Sequence, residues 1–478
     1  MNKLLKSLAV FLLLAAVITV PASALGSMDY VIGTDGTDIS IPQTHRVVNL
    51  IRDLGQQGGE LSQPSDLFVD NNDNIYIADT GNNRVVKLDK EGNFLNSYDC
   101  NKSLSSPGGV FVSDNGHMYI ADTLNERIVH LSQDGDFIEE FVKPKSELLE
   151  DDATFQVSKI GITSQGYLYT IRGQYFMMID AKNEFKGYVG DNRLGFSLTR
   201  LLIRTFASKE QQEKLIKEKP TSYYSFDIGP DGLIYATTGE DASSNQIQKI
   251  NMVGDNIFPE KSYGEQYFNK ETNRFCNPRF VDICVDKNGI IYVIDAYSCN
   301  IYIYDQEGNM LAVFGGKGNV KGKFNLPIAV DTMSNGDLLV LDQATGYVHL
   351  YERTRFMNNI TDAVNHYNNG MYVECEKAWR MVLDVDANYP VANKGIGDAL
   401  YKQGEIKKAM EYYKLSDSKS GYGMAFSIFQ YDFFRQYFGW VVLAALVIIS
   451  AFIFIAIRLK KRSDKIVDDY YSGGKSNE

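Results

Sequence analysis

The stretch NIYIADTGNNRVVKLDKEGNF, residues 74–94, returns with few changes as HMYIADTLNERIVHLSQDGDF at residues 117–137. In each copy, short alternating apolar runs are separated by turn clusters such as DTGNN and DKEGN. Runs of this kind, bounded by Asp, Asn and Gly, are typical of β-strands joined by tight turns. Together with the preceding run DLFVD, one copy predicts a four-stranded antiparallel meander. The repetition indicates a building unit that is stacked several times.

The same unit recurs with more variation along the chain. Six units are found, and their anchor residues are Tyr76, Tyr119, Tyr169, Tyr235, Tyr292 and Leu339. Successive anchors are 43, 50, 66, 57 and 47 residues apart. A period of about 40–50 residues with four strands per unit is typical of propeller blades, and a closed ring hides the sheet edges. We therefore predict a mainly β fold, a six-bladed propeller over residues 25–355, closed by a strand from residues 45–55.

Residues 61–94 and 104–137 resemble NHL repeats over the whole unit. The resemblance rests on the P-x-x-apolar, Y-apolar-A-D-T and N-x-R elements, which both stretches contain. It implies a six-bladed NHL-type propeller over about residues 29–353.

The polar residues of the repeated turns have two interpretations. They are Asp79, Asn82, Arg84, Asp122, Asn125 and Arg127. In the first, Asp and Asn bond the backbone of their own turn, and Arg stacks or pairs beside the neighbouring blade. In the second, these side chains bind a ligand at the mouth of the channel. A separate hypothesis is glycan binding through aromatic residues on the turn face, namely Tyr175, Tyr297 and Tyr347.

Some six-bladed relatives are enzymes, and their site residues were sought here. Gluconolactonase-like and paraoxonase-like hydrolases hold calcium in the channel, and streptogramin lyases use a channel histidine. Asp66 begins an inner strand, whereas Asp227 and Asp282 are expected deeper in theirs, so no set of three converging oxygen ligands is evident. None of the five histidines is placed as a base: His45, His117, His130, His349 and His366. We expect no catalytic residues, no metal and no cofactor.

The two ends of the chain carry hydrophobic segments of different kinds. Residues 1–24 have a charged start, an apolar run and an A-x-A site, which predicts a secretory signal peptide. Residues 438–457 contain no charge and are followed by Arg and Lys, which predicts a transmembrane helix and a cytoplasmic tail at 458–478. The body of the protein is then extracytoplasmic, in a cell that is predicted to be bacterial from the short signal peptide and the low cysteine use.

Two further segments interrupt or follow the repeats. Residues 196–220 alternate apolar and charged residues at helical spacing, which predicts a helical insertion. In residues 360–436, glycine, small and aromatic residues recur at a spacing of 34, as in Gly370 and Gly404. This segment resembles tetratricopeptide repeats, which form concave helical surfaces that bind protein partners. The alternative is a packed stalk that holds the propeller near the membrane.

Composition excludes one class of partner. The chain has 478 residues and a formal net charge of −12, which argues against nucleic acid. Two interaction folds in tandem predict a membrane-anchored scaffold that binds proteins in a membrane or envelope complex. The alternatives are a channel-based hydrolase or lyase and a glycan-binding module. A single disulfide among Cys276, Cys284 and Cys299 stays open beside unpaired thiols.

Overall fold

The computed structural model describes residues 29–473 apart from 147–148, 150–153, 164, 174, 190–221, 240–243, 252–253 and 270–272. The predicted signal peptide and the predicted helical insertion lie outside the described residues. The chain divides into two compact units, Met1–Val391 and Ala392–Glu478, and each is described by itself.

The first unit is built mainly from short strands. Three strands come before the first repeat: β1 (Asp29–Ile32), β2 (Asp38–Ile41) and β3 (His45–Ile51), with the short helix α1 (Gly55–Gly58) after them. Blade 1 has β4 (Asp66–Val69), β5 (Ile75–Asp79), β6 (Arg84–Leu88) and β7 (Phe94–Tyr98). Blade 2 has β8 (Pro107–Val112), β9 (Met118–Asp122), β10 (Arg127–Leu131) and β11 (Phe137–Val142). Blade 3 has β12 (Val157–Ile162), β13 (Leu168–Arg172), β14 (Tyr175–Ile179) and β15 (Phe185–Tyr188).

The remaining blades follow the same order. Blade 4 has β16 (Tyr223–Ile228), β17 (Ile234–Thr238) and β18 (Ile247–Ile250) among the described residues, and the two-stranded ribbon β19 (Tyr267–Asn269) and β20 (Arg274–Cys276) follows it. Blade 5 has β21 (Phe280–Val285), β22 (Ile291–Asp295), β23 (Asn300–Tyr304) and β24 (Met310–Gly315). Blade 6 has β25 (Pro327–Thr332), β26 (Leu338–Asp342) and β27 (Tyr347–Arg353).

These sheets confirm the predicted six-bladed propeller. Neighbouring strands within each blade pair in antiparallel order, as the alternation of apolar runs and turns predicted. All six anchor residues occupy the second position of the second strand of their blade. The sequence period therefore reports the structural repeat directly.

The N-terminal strands close the ring. Strand β3 pairs with β27, from His45 opposite Arg353 to Ile51 opposite Val348, and completes blade 6 as predicted. Strands β1 and β2 were not predicted. Strand β1 pairs with β24 through Tyr30 and Val313, and the β1–β2 hairpin extends the sheet of blade 5 to six strands.

Apolar side chains fill the spaces between neighbouring blades. One cluster joins blade 6 to blade 1 and contains Leu341, Val348, Ile77 and Val86, all fully buried. Similar clusters join blade 1 to blade 2 and blade 2 to blade 3. Because each fully buried Val, Leu or Ile contributes about 1.5–3 kcal/mol, the blades stabilise one another rather than fold singly.

Two helices follow the propeller in the first unit, α2 (Arg355–Asn368) and α3 (Tyr372–Val385). The hydroxyl of Thr354 caps α2 by accepting from the amide of Met357, while the amide of Thr354 donates to the carbonyl of Thr44 at 3.0 Å. The hydroxyl of the buried Tyr389 donates to the carbonyl of Leu311 at 2.6 Å. The helical hairpin is therefore tied to the propeller at both ends.

The next two helices recur at the same spacing along the sequence as the first two. They are α4 (Pro390–Lys402) and α5 (Ile406–Leu415). The start of α5 lies 34 residues after the start of α3, and Gly370 and Gly404 before these helices both have positive φ, 73° and 82°. In the second unit, the hydroxyl of Tyr413 on α5 donates to Asp398 on α4 at 2.8 Å.

The last helix, α6 (Lys419–Gly473), is long and apolar enough to cross a membrane. Its most apolar window has a mean hydropathy of 3.0, and none of that window is buried. It is the single helix of this kind in the part of the chain that the structure describes, and it contains the predicted span at residues 438–457.

The three cysteines for which a disulfide was left open, Cys276, Cys284 and Cys299, are unbridged thiols in the structure.

Candidate functional site

The six inner strands bring polar residues to the propeller axis at two levels. In five of these strands the pairing with the second strand of the blade shifts by one residue near the start. The third residue of each of these strands therefore pairs with the same position of the second strand as Asp66, the first residue of β4, and such equivalent residues are said to lie at one level. The upper level contains Asp66, Gly109, Lys159, Ser225, Asp282 and Ala329. The lower level, two residues on, contains Phe68, Phe111, Gly161, Asp227, Cys284 and Asp331.

This register corrects one expectation. Asp282 was predicted to lie deeper in its strand than Asp66. The shift between Phe280 and Asp282 inserts an extra residue, which places Asp282 at the same level as Asp66. Asp227 does lie one level deeper. Turn and strand patterns do not reveal such a shift, because the apolar alternation continues past it.

A lysine side chain occupies the upper level between two carboxylates. The Nζ atom of Lys159 lies 2.8 Å from Oδ1 of Asp66 and 3.3 Å from Oδ1 of Asp282. Burial alone would lower the pKa of Lys159, but the charges of Asp282 and Asp66 outweigh it and raise the pKa above its ordinary value. Burial raises the pKa of Asp66, and Lys159 offsets part of that rise. The ammonium group of Lys159 therefore supplies the positive charge between Asp66 and Asp282 at the axis. The sequence patterns did not reveal this role of Lys159.

The axial carboxylates also hold neighbouring blades together. Each accepts a backbone N–H from the inner strand of the next blade in the ring: Asp66 from Val110 at 3.0 Å, Asp227 from Val285 at 2.8 Å, Asp282 from Val330 at 2.7 Å and Asp331 from Val69 at 2.7 Å. Each donor belongs to the inner strand of its blade, which is an edge strand of its sheet and has backbone groups on one side without a neighbouring strand in that blade. The described residues contain no group of three or more His, Cys, Asp or Glu side chains arranged to hold a metal ion.

The two lower carboxylates give the fold a dependence on pH. Burial and the charge of Asp227 raise the pKa of Asp331 to about 8, and burial raises the pKa of Asp227 to about 6. An aspartate in the unfolded chain has a pKa of about 3.9, so the folded state holds these protons more tightly. Stability from these groups is therefore greatest at acid pH and is lost as the pH rises from about 4 towards 8.

We expect Asp331→Asn to remove the larger part of this dependence. The free energy of unfolding of the variant, relative to that of the natural protein, should rise by more than about 1.4 kcal/mol between acid pH and pH values above the pKa of Asp331. This amount is the free-energy equivalent of one pKa unit. Urea unfolding of both proteins across this pH range measures the difference. A stability difference that does not change with pH would contradict the assignment.

The polar residues of the first two repeated turns form matching networks. The buried carboxylate of Asp79 accepts from the amide of Ser62 at 2.7 Å, from Asn82 Nδ2 at 2.8 Å and from Arg84 Nε at 2.7 Å. Asp122 accepts in the same way from Ser105, Asn125 and Arg127, at 2.7, 2.8 and 2.7 Å. Both arginines thus pair within their own blade and not with the neighbouring blade, because the turn places Asp and Arg at the ends of paired strands.

The three tyrosines of the glycan hypothesis lie apart from one another. Tyr175 begins β14, Tyr297 follows β22 and Tyr347 begins β27. All three are partly buried, and an arginine lies over each ring: Arg172 at 5.2 Å from the centroid of Tyr175, Arg279 at 5.9 Å from Tyr297 and Arg52 at 5.6 Å from Tyr347. Since a guanidinium covers one face of each ring, at most the other face is available to a sugar.

One predicted residue lines an open cavity. Arg127 borders a cavity of about 430 Å³ together with Tyr98, Cys100 and Phe137. The cavity is bordered by the outer strands of blades 1 and 2, whereas the axial residues lie on the inner strands. Its wall is formed by β7, β10 and β11 and the loop after β7.

The fold and the axis define the class of protein. It is a six-bladed β-propeller whose axis holds an internal lysine–carboxylate cluster, followed by helices of which one is long enough to cross a membrane.

Comparison with known proteins places one repeat within a named family. The NHL repeat family matches residues 61–88, which cover the loop before blade 1 and its first three strands. This confirms the resemblance for that repeat.

Comparison with solved structures finds weak likeness to two lyases and one synthase. The structure titled streptogramin B lyase is 14% identical, with a TM-score of 0.41, over 67% of this chain and 85% of that one. Virginiamycin B lyase from Staphylococcus aureus is 12% identical, with a TM-score of 0.40, over 68% of this chain and 87% of that one. Hydrazine synthase from Kuenenia stuttgartiensis is 10% identical, with a TM-score of 0.40, over 62% of this chain and 96% of that one. At these identities and TM-scores the likeness carries no conclusion about this chain.

Proposed function

We propose that the protein is a membrane-anchored scaffold that binds a protein partner of the same membrane or envelope complex. Helix α6 is the proposed anchor, because its apolar segment is unburied and long enough to cross a bilayer core of about 30 Å. Arg458, Lys460, Lys461 and Arg462 follow that segment, so the positive-inside rule places the tail in the cytoplasm and the propeller outside it.

The observation that carries this proposal is the repeated geometry of the helical hairpins. Helices α3 and α5 start 34 residues apart, and each is preceded by a glycine with positive φ at the same position. A 34-residue helix–turn–helix period is that of tetratricopeptide repeats, whose helical surfaces bind peptides and proteins. The segment is therefore proposed to be the partner-binding part of the chain.

Helix α3 offers a surface of the expected kind. Val373, Met381 and Val385 are exposed by 47%, 44% and 48%, whereas Ala378, Trp379 and Val382 of the same helix are buried. An amphipathic helix normally places charged residues on its outer side, so exposed apolar residues there favour contact with a partner.

The axis supports a role other than catalysis. Its four carboxylates already accept backbone N–H groups, and Lys159 already pairs two of them. A substrate or metal ion that entered would have to displace these bonds. The rival proposal, a channel-based hydrolase or lyase, requires such displacement.

Crosslinking in native membranes, followed by affinity purification and mass spectrometry, tests the scaffold. We expect one stoichiometric membrane partner, which is lost on deletion of residues 360–422. Because a deletion can disturb folding, the double variant Val373→Glu and Met381→Glu provides the sharper test. Loss of the partner is expected because two charges would be buried in an apolar interface.

The matched control is Leu124→Glu, which adds a charge at another exposed apolar residue, 58% exposed, in a turn of blade 2 and outside the proposed surface. It should retain the partner. Retention of the partner by the double variant would contradict the proposed surface. A chain that purifies without partners and turns over a lactone or binds glycans on an array would favour the rival functions.

A further inference from the structure

Two of the five histidines meet at one end of blade 2. His117 lies in the turn between β8 and β9, and His130 lies on the adjacent strand β10. The Nδ1 atom of His117 is 2.9 Å from the Nε2 atom of His130. The two residues are 13 positions apart in the sequence, a spacing that matches no metal-binding motif, so the sequence alone does not indicate that they meet.

The neighbours of His130 fix the orientation of its ring and determine which ring nitrogen donates a hydrogen bond. Its Nδ1 atom lies 3.0 Å from a carboxylate oxygen of Glu139 on β11. The Tyr119 ring stacks on it at 4.1 Å with an angle of 14°. Since a carboxylate accepts only, neutral His130 donates from Nδ1 to Glu139, and its Nε2 lone pair points at His117.

We propose that His117 and His130 form a binding site for a borderline divalent transition metal ion such as Zn²⁺. The lone pair of His130 Nε2 and, after a change of tautomer, that of His117 Nδ1 would be the two protein ligands. A tetrahedral ion with bonds of about 2.0–2.1 Å to nitrogen separates its two nitrogens by about 3.4 Å. The present 2.9 Å separation therefore has to widen by about half an ångström, and the rings have to turn so that both lone pairs point at the ion.

The surroundings match what such a site needs. Metal-bound histidines usually donate their other ring N–H to a carboxylate, which is the contact between His130 and Glu139. His130 is buried whereas His117 is partly exposed, so an ion can enter from the solvent side and keep water as its remaining ligands. Imidazole ligands favour zinc, nickel and copper over calcium and magnesium, which require oxygen.

Titration calorimetry of the tag-free full-length protein in detergent, with zinc chloride as the probe, tests this site. We expect one saturable site, a visible absorption band when Co²⁺ replaces Zn²⁺, and no heat with calcium. His117→Asn and His130→Asn should each abolish the band. Glu139→Gln should keep both ligands but weaken binding by about tenfold to a hundredfold.

His366→Asn is the matched control, because His366 lies on α2 away from the pair. It should leave zinc affinity and the cobalt band unchanged. Absence of saturable zinc binding would overturn the proposal. So would zinc binding that survives in His117→Asn, whose position in a partly exposed turn leaves the fold intact and can be verified by circular dichroism.

Discussion

Lys159→Met is expected to destabilise the propeller by about 3–5 kcal/mol, the usual result of removing one partner from a buried ion pair. Methionine has nearly the same length as lysine, so the packing at the axis changes little while the positive charge disappears. Asp66 and Asp282, which are 4% and 2% exposed, would then face each other without a cation. Urea unfolding at neutral pH, followed by circular dichroism, measures the loss.

Two comparisons separate this effect from a general effect of lysine removal. Lys186→Met removes a surface lysine that also contacts two carboxylates, Asp180 and Glu184, and should change stability little. Adding Asp66→Asn and Asp282→Asn to Lys159→Met should restore part of the lost stability, because the two carboxylates that had paired with the ammonium group are then neutral amides. A Lys159→Met protein as stable as the natural one would mean that the ammonium group is not the cation of the axis.

Asp79→Ala is expected to cost about 3 kcal/mol, because the fully buried carboxylate is the shared acceptor of three donors and each lost hydrogen bond is worth about 1 kcal/mol. The amide of Ser62, the side chain of Asn82 and the guanidinium of Arg84 all donate to this carboxylate. Thermal and urea unfolding measure the loss. A stable Asp79→Ala protein that loses a ligand would instead support the ligand-binding interpretation of these turns.

Asp89→Ala is the matched control for Asp79. Asp89 also accepts backbone and asparagine N–H groups in a turn of blade 1, from Asn93 at 2.7 and 2.8 Å, but that turn faces solvent. Water replaces the lost bonds there, so we expect a loss of only about 1 kcal/mol. A similar loss for both variants would show that burial is not what makes Asp79 important.

The sequence predicted the repeat well because the second strand of each blade is buried and keeps its pattern. Tyr235 and Tyr292 remain recognisable anchors in units where the turn residues have drifted, since both rings are fully buried between blades. The closing strand was also predictable, because HRVVNLI has strand character without a blade of its own. Its pairing with β27 over the whole strand confirms this.

The axial site was not predictable for a geometric reason. Lys159 stands in the stretch SKIGI, which is polar at a strand start and carries no motif. Its role depends on Asp66 and Asp282, which lie 93 and 123 positions away and meet it only when the ring closes. The β1–β2 hairpin was missed similarly, because it pairs with β24, far along the chain. Contacts of this kind depend on the register between blades, which local patterns do not determine.

The closing strand β3 also sets the order in which the protein can mature. Its partner β27 is separated from it by five whole blades, so β3 emerges from the ribosome long before the strand with which it pairs. Until blade 6 is synthesised, the nascent chain has two exposed sheet edges that invite association with other chains. A protein built in this way needs protection of these edges during synthesis, and a chain truncated within blade 6 would remain an open arc prone to aggregation.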